Sequence, residues 1–327
     1  MLAQAPPQPP ALTGVEVRQA GEDVLARLSF TEPLPPVGAQ RVCVTFRAGR
    51  VCLRGRGARV AQRRHGAWVV VGRARTTRDG NDVVVDAGAR KLALRFGRPA
   101  RWTASNTWDA PEQRLRGTLR VHRFKLLATG DSMIQVTDSL LRDRLSPARR
   151  VVSEAHISTG ISKAGVFGVN WVRHAGAQAR SIHPDATVVW IGPNEGFAID
   201  GAPCCGSAWI RGYAGRARSM MGSYRRGGRA AVYWLTLPMP RSAKLARVMR
   251  AVNRAIVRAA RRAGSGVHVI DMRRVFTPHG HFQQRACYRG RCFDARQPDG
   301  VHLSTTGSRV AADIIARRLR ADHVIRG

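Results

Sequence analysis

Two short stretches in the second two thirds of this 327-residue chain hold side chains suited to acyl chemistry. One reads Leu-Leu-Ala-Thr-Gly-Asp-Ser-Met, an apolar run ending in Gly130, Asp131 and Ser132. A serine that follows a strand and opens a helix stands beside unpaired amides and the positive helix end. It is placed either to attack a carbonyl carbon, with its own N–H near the oxyanion, or simply to cap the helix. The other stretch reads Gln-Pro-Asp-Gly-Val-His-Leu-Ser, with Asp299 and His302 three apart. That spacing lets a carboxylate orient one ring nitrogen while the other faces a serine. An imidazole with its ordinary pKa of about 6.5 takes up and returns a proton near neutrality. Taken alone, Asp-x-x-His is equally a turn built on Asp-Gly.

Two further loops carry hydrogen-bond donors. Ile-Ser-Thr-Gly-Ile-Ser contains Gly160, able to present a backbone N–H, and Trp-Ile-Gly-Pro-Asn-Glu-Gly contains Gly192, for the turn, and Asn194. Ser132, Gly160 and Asn194 together offer three donors to a tetrahedral intermediate, each contributing about 3–4 kcal/mol.

These loops need strands to end where they begin. From Phe124 the chain alternates strand, loop and helix, with strands expected at Phe124–Ala128, Arg150–Ala155, Ala186–Ile191, Ala230–Leu235 and Val267–Ile270. Amphipathic helices fall between them, clearest over Leu245–Ala263, and Thr305–Leu319 follows the last strand. This rhythm predicts an α/β unit with a parallel sheet and helices on both faces, whose reactive groups gather at the carboxyl ends of the strands. Before it, Val-Cys-Val-Thr-Phe, Trp-Val-Val-Val, Asp-Val-Val-Val and Lys-Leu-Ala-Leu-Arg-Phe are short β-rich runs separated by turn residues, as in Arg-Asp-Gly-Asn-Asp at 78–82. They predict a small antiparallel β-domain. The expected order is a Pro-rich linker at 1–14, a β-sandwich-like accessory domain at 15–122 and the α/β domain at 123–327.

The motifs Gly130-Asp131-Ser132, Gly160, Gly192-Pro193-Asn194 and Asp299-Gly300-Val301-His302 occur in an order that resembles the SGNH (GDSL-like) hydrolase superfamily. The resemblance covers about 124–322. Ser-Thr-Gly-Ile-Ser, Trp-Leu-Thr-Leu-Pro and Asp-Gly-Val-His-Leu look most like an uncharacterised exported bacterial branch of it. It implies a flavodoxin-like three-layer α/β/α fold with a parallel five-stranded sheet and ester hydrolysis through an acyl-enzyme. Ser132 would be nucleophile, His302 base and then acid, and Asp299 the residue that holds His302. Ser132, Gly160 and Asn194 would form the oxyanion hole, with no metal or organic cofactor. The third motif usually reads Gly-x-Asn-Asp, and Glu195 replaces that Asp here, with an effect expected on loop packing more than on chemistry.

Asp131, Trp209 and Tyr213 are candidate substrate contacts, the last two in the long 197–226 insertion, where a sugar-binding lid and an ordinary helix face are both open readings. His279 and His281 flank a glycine in what reads as a surface loop. Trp171, Trp190 and Trp234 read as core packing.

Cys43 and Cys52 flank an Arg-Ala-Gly-Arg turn, and Cys287 and Cys292 enclose Tyr-Arg-Gly-Arg, so both pairs suit hairpin disulfides. Adjacent Cys204 and Cys205 are either a vicinal disulfide or two thiols. This usage favours an oxidising, secreted or cell-envelope location. No Cys-x-x-Cys or His-x-x-x-His array announces zinc. No apolar run approaches the roughly eighteen residues of a membrane span. The amino terminus is Pro-rich and is no complete signal peptide.

The formal charge is +34, from 55 basic and 21 acidic side chains. The excess is spread along the chain, and Lys91, Lys125, Lys163 and Lys244 are the only lysines. Such arginine usage is what a high-GC coding bias produces. It also suits anionic cell-envelope polymers, whereas no basic arm marks specific nucleic-acid binding. The reading that unites these signals is an exported monomeric esterase, removing O-acyl, most plausibly O-acetyl, groups from an envelope or extracellular glycan. Its rivals are acetyl transfer at the same site, a lipase, and a non-catalytic cationic binder of envelope polymers.

Overall fold

The computed structural model describes residues 10–35, 41–107, 113–145, 149–163 and 168–325. The chain divides into two compact units, Met1–Arg123 and Phe124–Gly327.

The first unit is built from β1 (Leu12–Ala20), β2 (Asp23–Phe30), β3 (Arg41–Phe46), β4 (Gly49–Arg54) and β5 (Gly57–Arg64), then β6 (Ala67–Asp79), β7 (Asp82–Gly88), β8 (Pro99–Thr107) and β9 (Gln113–Arg120). All neighbours are antiparallel, in the order β1-β2-β7-β6-β5-β4-β3-β8-β9. The 13-residue β6 pairs with β5 through Ala67–Ala74 and with β7 through Arg75–Asp79. One strand thereby carries the sheet from one layer into the other. Val24, Ala26 and Leu28 from one layer share a single core with Val42, Val44, Val51 and Leu53 from the other. Of the expected 1–14 linker, residues 1–9 lie outside the described residues, and Leu12–Gly14 already belong to β1.

One expected strand is corrected. Lys91–Phe96 forms no strand: Leu92 N–H bonds back to Gly88 and Leu94 N–H to Ala89, and Ala93 has a φ of +54°. The apolar residues that suggested a strand serve a coiled turn whose Leu92 is fully buried in the core.

The second unit has a five-stranded sheet of β10 (Lys125–Gly130), β11 (Arg150–Ala155), β12 (Ala186–Trp190), β13 (Ala231–Leu235) and β14 (Val267–Ile270). Its order is β11-β10-β12-β13-β14 and every pair is parallel. In chain order this is 2-1-3-4-5, the flavodoxin-like arrangement, with the topological switch between β10 and β12. β10 and β12 are wholly apolar or threonine apart from Lys125 and Gly130, and both β12 and the interior of β10 are buried, as helices on both faces require. The helices are α1 (Thr137–Leu145), α2 (Trp171–Ile182), α3 (Ser207–Arg225), α4 (Ala243–Ala263), α5 (Arg273–Phe276) and α6 (Thr305–Ala321). α1 packs beside α6, and α2, α3 and α4 pack in sequence, which makes two helical layers around the sheet. The hairpin of β15 (Arg285–Tyr288) and β16 (Arg291–Asp294) precedes α6.

Cys43 stands opposite Cys52 across β3 and β4, and Cys287 opposite Cys292 across β15 and β16; both pairs are disulfides. Cys204 and Cys205 are also joined.

Gly130, the last residue of β10, has a φ of +150°, and a Cβ there would lie 1.9 Å from the Trp190 carbonyl oxygen of β12. Backbone contact leaves nothing flexible to yield. Gly130→Ala is expected to lower unfolding free energy by about 2–3 kcal/mol or more in chemical denaturation, by combining strain with a forced separation of two central strands.

Candidate active site

Ser132 lies two residues beyond β10, beside the switch point. The serine does not open a helix: a turn occupies 132–136, Val136 adopts a φ of +69°, and α1 starts only at Thr137. The helix-end electrostatics expected from the sequence therefore do not act on it directly. What fixes the serine is its neighbour. Asp131 has no exposed surface, accepts the Met133 N–H at 2.9 Å through Oδ1, and accepts the Gly192 N–H at 2.8 Å through Oδ2. The Asn194 Nδ2 lies 3.4 Å from that second oxygen. One carboxylate thus ties the loop after β10 to the loop after β12. Burial is the largest influence on it and pushes its pKa up to about 7 against the pull of the Gly192 and Met133 amides.

His302 lies on the segment between β16 and α6. Its Nε2 is 2.8 Å from Ser132 Oγ and its Nδ1 is 2.5 Å from Asp299 Oδ2. An ionised carboxylate only accepts, so Nδ1 carries the proton and Nε2 accepts from the serine hydroxyl. Asp299 Oδ1 also accepts the Val301 and His302 amides at 2.8 and 3.1 Å. Partial burial pushes Asp299 upward, but the His302 ring and these amides outweigh it and hold the carboxyl below its usual range. His302 and Asp299 retain 30% and 42% side-chain exposure, so the relay is open on one side.

The loop bearing His302 is held by arginines that sequence patterning passed over. Arg296, only 3% exposed, donates to Val301 O and to Met239 O, both at 2.6 Å. Burial lowers its pKa to about 10, against the pull of Asp299, and leaves it charged at neutrality. Arg241 donates from Nη1 to Pro298 O at 3.1 Å, and its amide donates to Gly300 O at 2.9 Å. In a chain so rich in arginine, no spacing distinguishes these two from the surface population.

Gly160 follows β11, the strand on the other flank of β10. Among the described residues, no acceptor takes the Ser132 or the Gly160 amide. Most backbone amides of a folded chain are paired, and these two are among the exceptions. Glu195 shapes the same segment. Its buried carboxylate accepts the Ile161 and Ser162 amides at 2.6 and 2.7 Å, the Ser162 hydroxyl and the Tyr213 hydroxyl. Desolvation raises its pKa despite those donors. The Glu195 side chain spans from the β12 loop to the β11 loop.

Three candidate substrate contacts are corrected. Asp131, Trp209 and Tyr213 are fully buried. Trp209 donates to Phe197 O at 2.7 Å and Tyr213 to Glu195, so both belong to the packed face of α3 and line no lid. His279 and His281 sit exposed on a loop.

The motif order thus has its spatial counterpart, with Ser132, Gly160, Asn194 and His302 at the carboxyl edge of the parallel α/β sheet. The family model described as "Protein of unknown function (DUF459)" matches residues 125–318. The chain is a member of the DUF459 family. Several solved structures resemble this DUF459 protein remotely. The psychrotrophic esterase EstA from Pseudoalteromonas sp. shares 10% identity over 60% of this chain and 97% of its own, with a TM-score of 0.42. The C-terminal catalytic domain of the peptidoglycan O-acetyltransferase OatA from Streptococcus pneumoniae shares 15% over 61% and 93%, at 0.38. A family two carbohydrate esterase from Clostridium thermocellum shares 11% over 94% of both chains, at 0.42. These likenesses are too remote to carry an activity across. No curated protein matches the chain.

Asp131 gives a signed expectation. Its folded pKa lies above the unfolded value of about 3.9, so the folded state binds the extra proton between the two, and stability from this group is lost as pH rises through about 7. Asp131→Asn, which cannot ionise, is expected to cost more stability at about pH 5 than at about pH 8 in urea unfolding. Equal costs at both would show that the carboxyl titrates normally.

Proposed function

We propose that this protein is a serine ester hydrolase acting through an acyl-enzyme on O-acyl esters, with O-acetyl groups of envelope or extracellular glycans as the favoured substrates. The observation that carries this reading is the unbroken Ser132–His302–Asp299 hydrogen-bonded line beside two amides without acceptors. Ser132 Oγ attacks the ester carbonyl carbon while His302 Nε2 takes its proton. The oxyanion is received by the Ser132 and Gly160 amides and the Asn194 side chain, each donor worth about 3–4 kcal/mol. As the C–O bond to the alcohol breaks, His302 returns the proton to the departing oxygen. Water then attacks the acyl-serine, gives its proton to His302, and the carboxylic acid leaves with Ser132 restored. Asp299 stays ionised and steadies the imidazolium. An alcohol replacing that water gives acyl transfer by the same steps.

The three disulfides support an extracytoplasmic setting, and no helix of the described residues is long and apolar enough to cross a membrane. Ser132→Ala is expected to reduce p-nitrophenyl acetate hydrolysis by about 10³-fold or more and to abolish the covalent adduct with a fluorophosphonate seen by intact mass. Equal rates, or an adduct on the alanine variant, overturn the role of Ser132. Rates falling as the acyl chain lengthens support the acetyl assignment, and a preference for long chains replaces it with a lipase.

A second reading, anchorage to an anionic polymer, is favoured by one surface of the first unit. Strand alternation puts Val42, Val44, Val51, Leu53, Ala58 and Val60 in the core, and so turns Arg41, Arg50, Arg54 and Arg59 outward. Arg41 stands directly opposite Arg54, and Arg59 opposite Arg73, where like charges repel. With Arg56 they line a concavity of about 740 Å³ with no acidic side chain among the described residues that line it. Guanidinium forks suit carboxylate and phosphate groups on a polymer. Arg54→Glu with Arg59→Glu is expected to release the protein from a polygalacturonate column at clearly lower salt while esterase activity stays unchanged. Unaltered elution removes this surface from polymer binding.

A further inference from the structure

Glu154, near the end of β11, and His156, just past it, are two residues apart and share a face. His174 comes from the first turn of α2, where the Asn170 cap fixes the helix start by accepting the Arg173 amide at 3.1 Å. One ligand-type atom from each of these three side chains lies within 4.8 Å of the others, and His174 Nε2 is 3.5 Å from Glu154 Oε2. The Nε2 atoms of both histidines are buried, and neither has a hydrogen-bond partner. The His156 nitrogen has no partner and the His174 nitrogen has only the 3.5 Å approach of Glu154, which leaves a desolvation cost that a ligand would remove.

We propose that Glu154, His156 and His174 bind one divalent transition-metal ion of the zinc class. Two imidazoles and one carboxylate are the donor set such ions take, whereas calcium and magnesium favour oxygen ligands throughout. Ligand atoms about 2.0–2.2 Å from a tetrahedral ion stand roughly 3.3–3.6 Å apart, so the 3.5 Å pair already matches and small side-chain rotations close the rest. The fourth position is open to water.

A supporting layer for the carboxylate is present. Gln178, one turn after His174 on the same face of α2, donates to Glu154 Oε2 at 2.6 Å and to Thr129 Oγ1 at 3.0 Å. The Tyr224 hydroxyl donates to Gln178 Oε1 at 2.5 Å and fixes which way the amide points. Buried chains of this kind orient metal ligands and raise affinity. Trp171 meets both histidine rings edge-on and is fully buried, which shields one side. The ligands come from a strand end and a helix eighteen residues further on, so no compact spacing signature betrays them.

The ion ties the edge strand to α2. From His156 the chain runs directly to Gly160, with Thr159 Oγ1 donating to His156 O and accepting from Trp171 Nε1. The metal is a structural clamp on the segment that presents the Gly160 amide.

The test uses the untagged full chain after chelator treatment, titrated with ZnCl₂ by calorimetry and with CoCl₂ by visible absorption. The expected result is one saturable site giving the intense bands of tetrahedral cobalt. His174→Ala is expected to weaken zinc binding about 100-fold or more, and Gln178→Leu about 10–100-fold. Glu154→Gln, an isosteric change, reads the same loss should His174→Ala fail to fold. The pair His279→Ala, His281→Ala is expected to leave binding unchanged. Absence of saturable binding by the folded wild type, or full affinity in Glu154→Gln and His174→Ala, overturns the site. Metal binding is read without any ester, so its failure leaves the esterase reading standing, and an inert Ser132 leaves the metal site standing.

Discussion

A carboxylate with no exposed surface holds the serine loop to the neighbouring strand's loop. Asp131 accepts amides from its own turn and from Gly192 across the switch point, so the position of Ser132 is set by β12 as much as by β10. A hydroxyl on a free turn samples many positions, whereas a relay needs one. The ion that secures this position is costly to bury, and three donors converging on its two oxygens offset the cost only in part. Gly130 follows from the same constraint, since a Cβ there would meet the Trp190 backbone, whereas a Cβ on Gly192 would strike the Leu237 and Val252 side chains.

The same device recurs on either side. Glu195 gathers two amides and two hydroxyls to fix the loop carrying Gly160, and Arg296 donates to two carbonyls to fix the loop carrying His302. Each is a buried ionisable group that pairs with backbone groups left over where strands end. Together with Asp131 they hold three loop segments at one sheet edge. The histidine arm is partly open, and there His302 donates a hydrogen bond to Asp299.

Much of this was readable in the chain before its coordinates. The five parallel strands begin and end within two residues of their expected limits, the three central ones because buried strands leave continuous apolar runs. Asp299 and His302 are hydrogen-bonded, as their three-residue spacing allows, and Ser132 reaches the other ring nitrogen. The errors have physical sources. Lys91–Phe96 has a strand's composition, but its backbone winds into a turn to bury Leu92. Asp131 is buried rather than a substrate contact, and nothing local in the sequence reveals that Gly192 approaches it. Trp209 and Tyr213 were ambiguous because α3 carries an apolar face at the same period as a lid would. Arg241 and Arg296 were hidden by abundance, and the Glu154, His156 and His174 cluster by its division between strand and helix.

The β-rich unit has a property that follows from β6. Because that strand gives its first half to one layer and its second half to the other, neither layer keeps a complete set of ladder bonds once β6 departs. Two sheets joined only by loops open in stages, whereas layers threaded by a common spine melt as one cooperative block. Amide protons throughout β1–β9 should then exchange with a shared opening free energy, and a lesion anywhere along Ala67–Asp79 is felt at both margins of the fold.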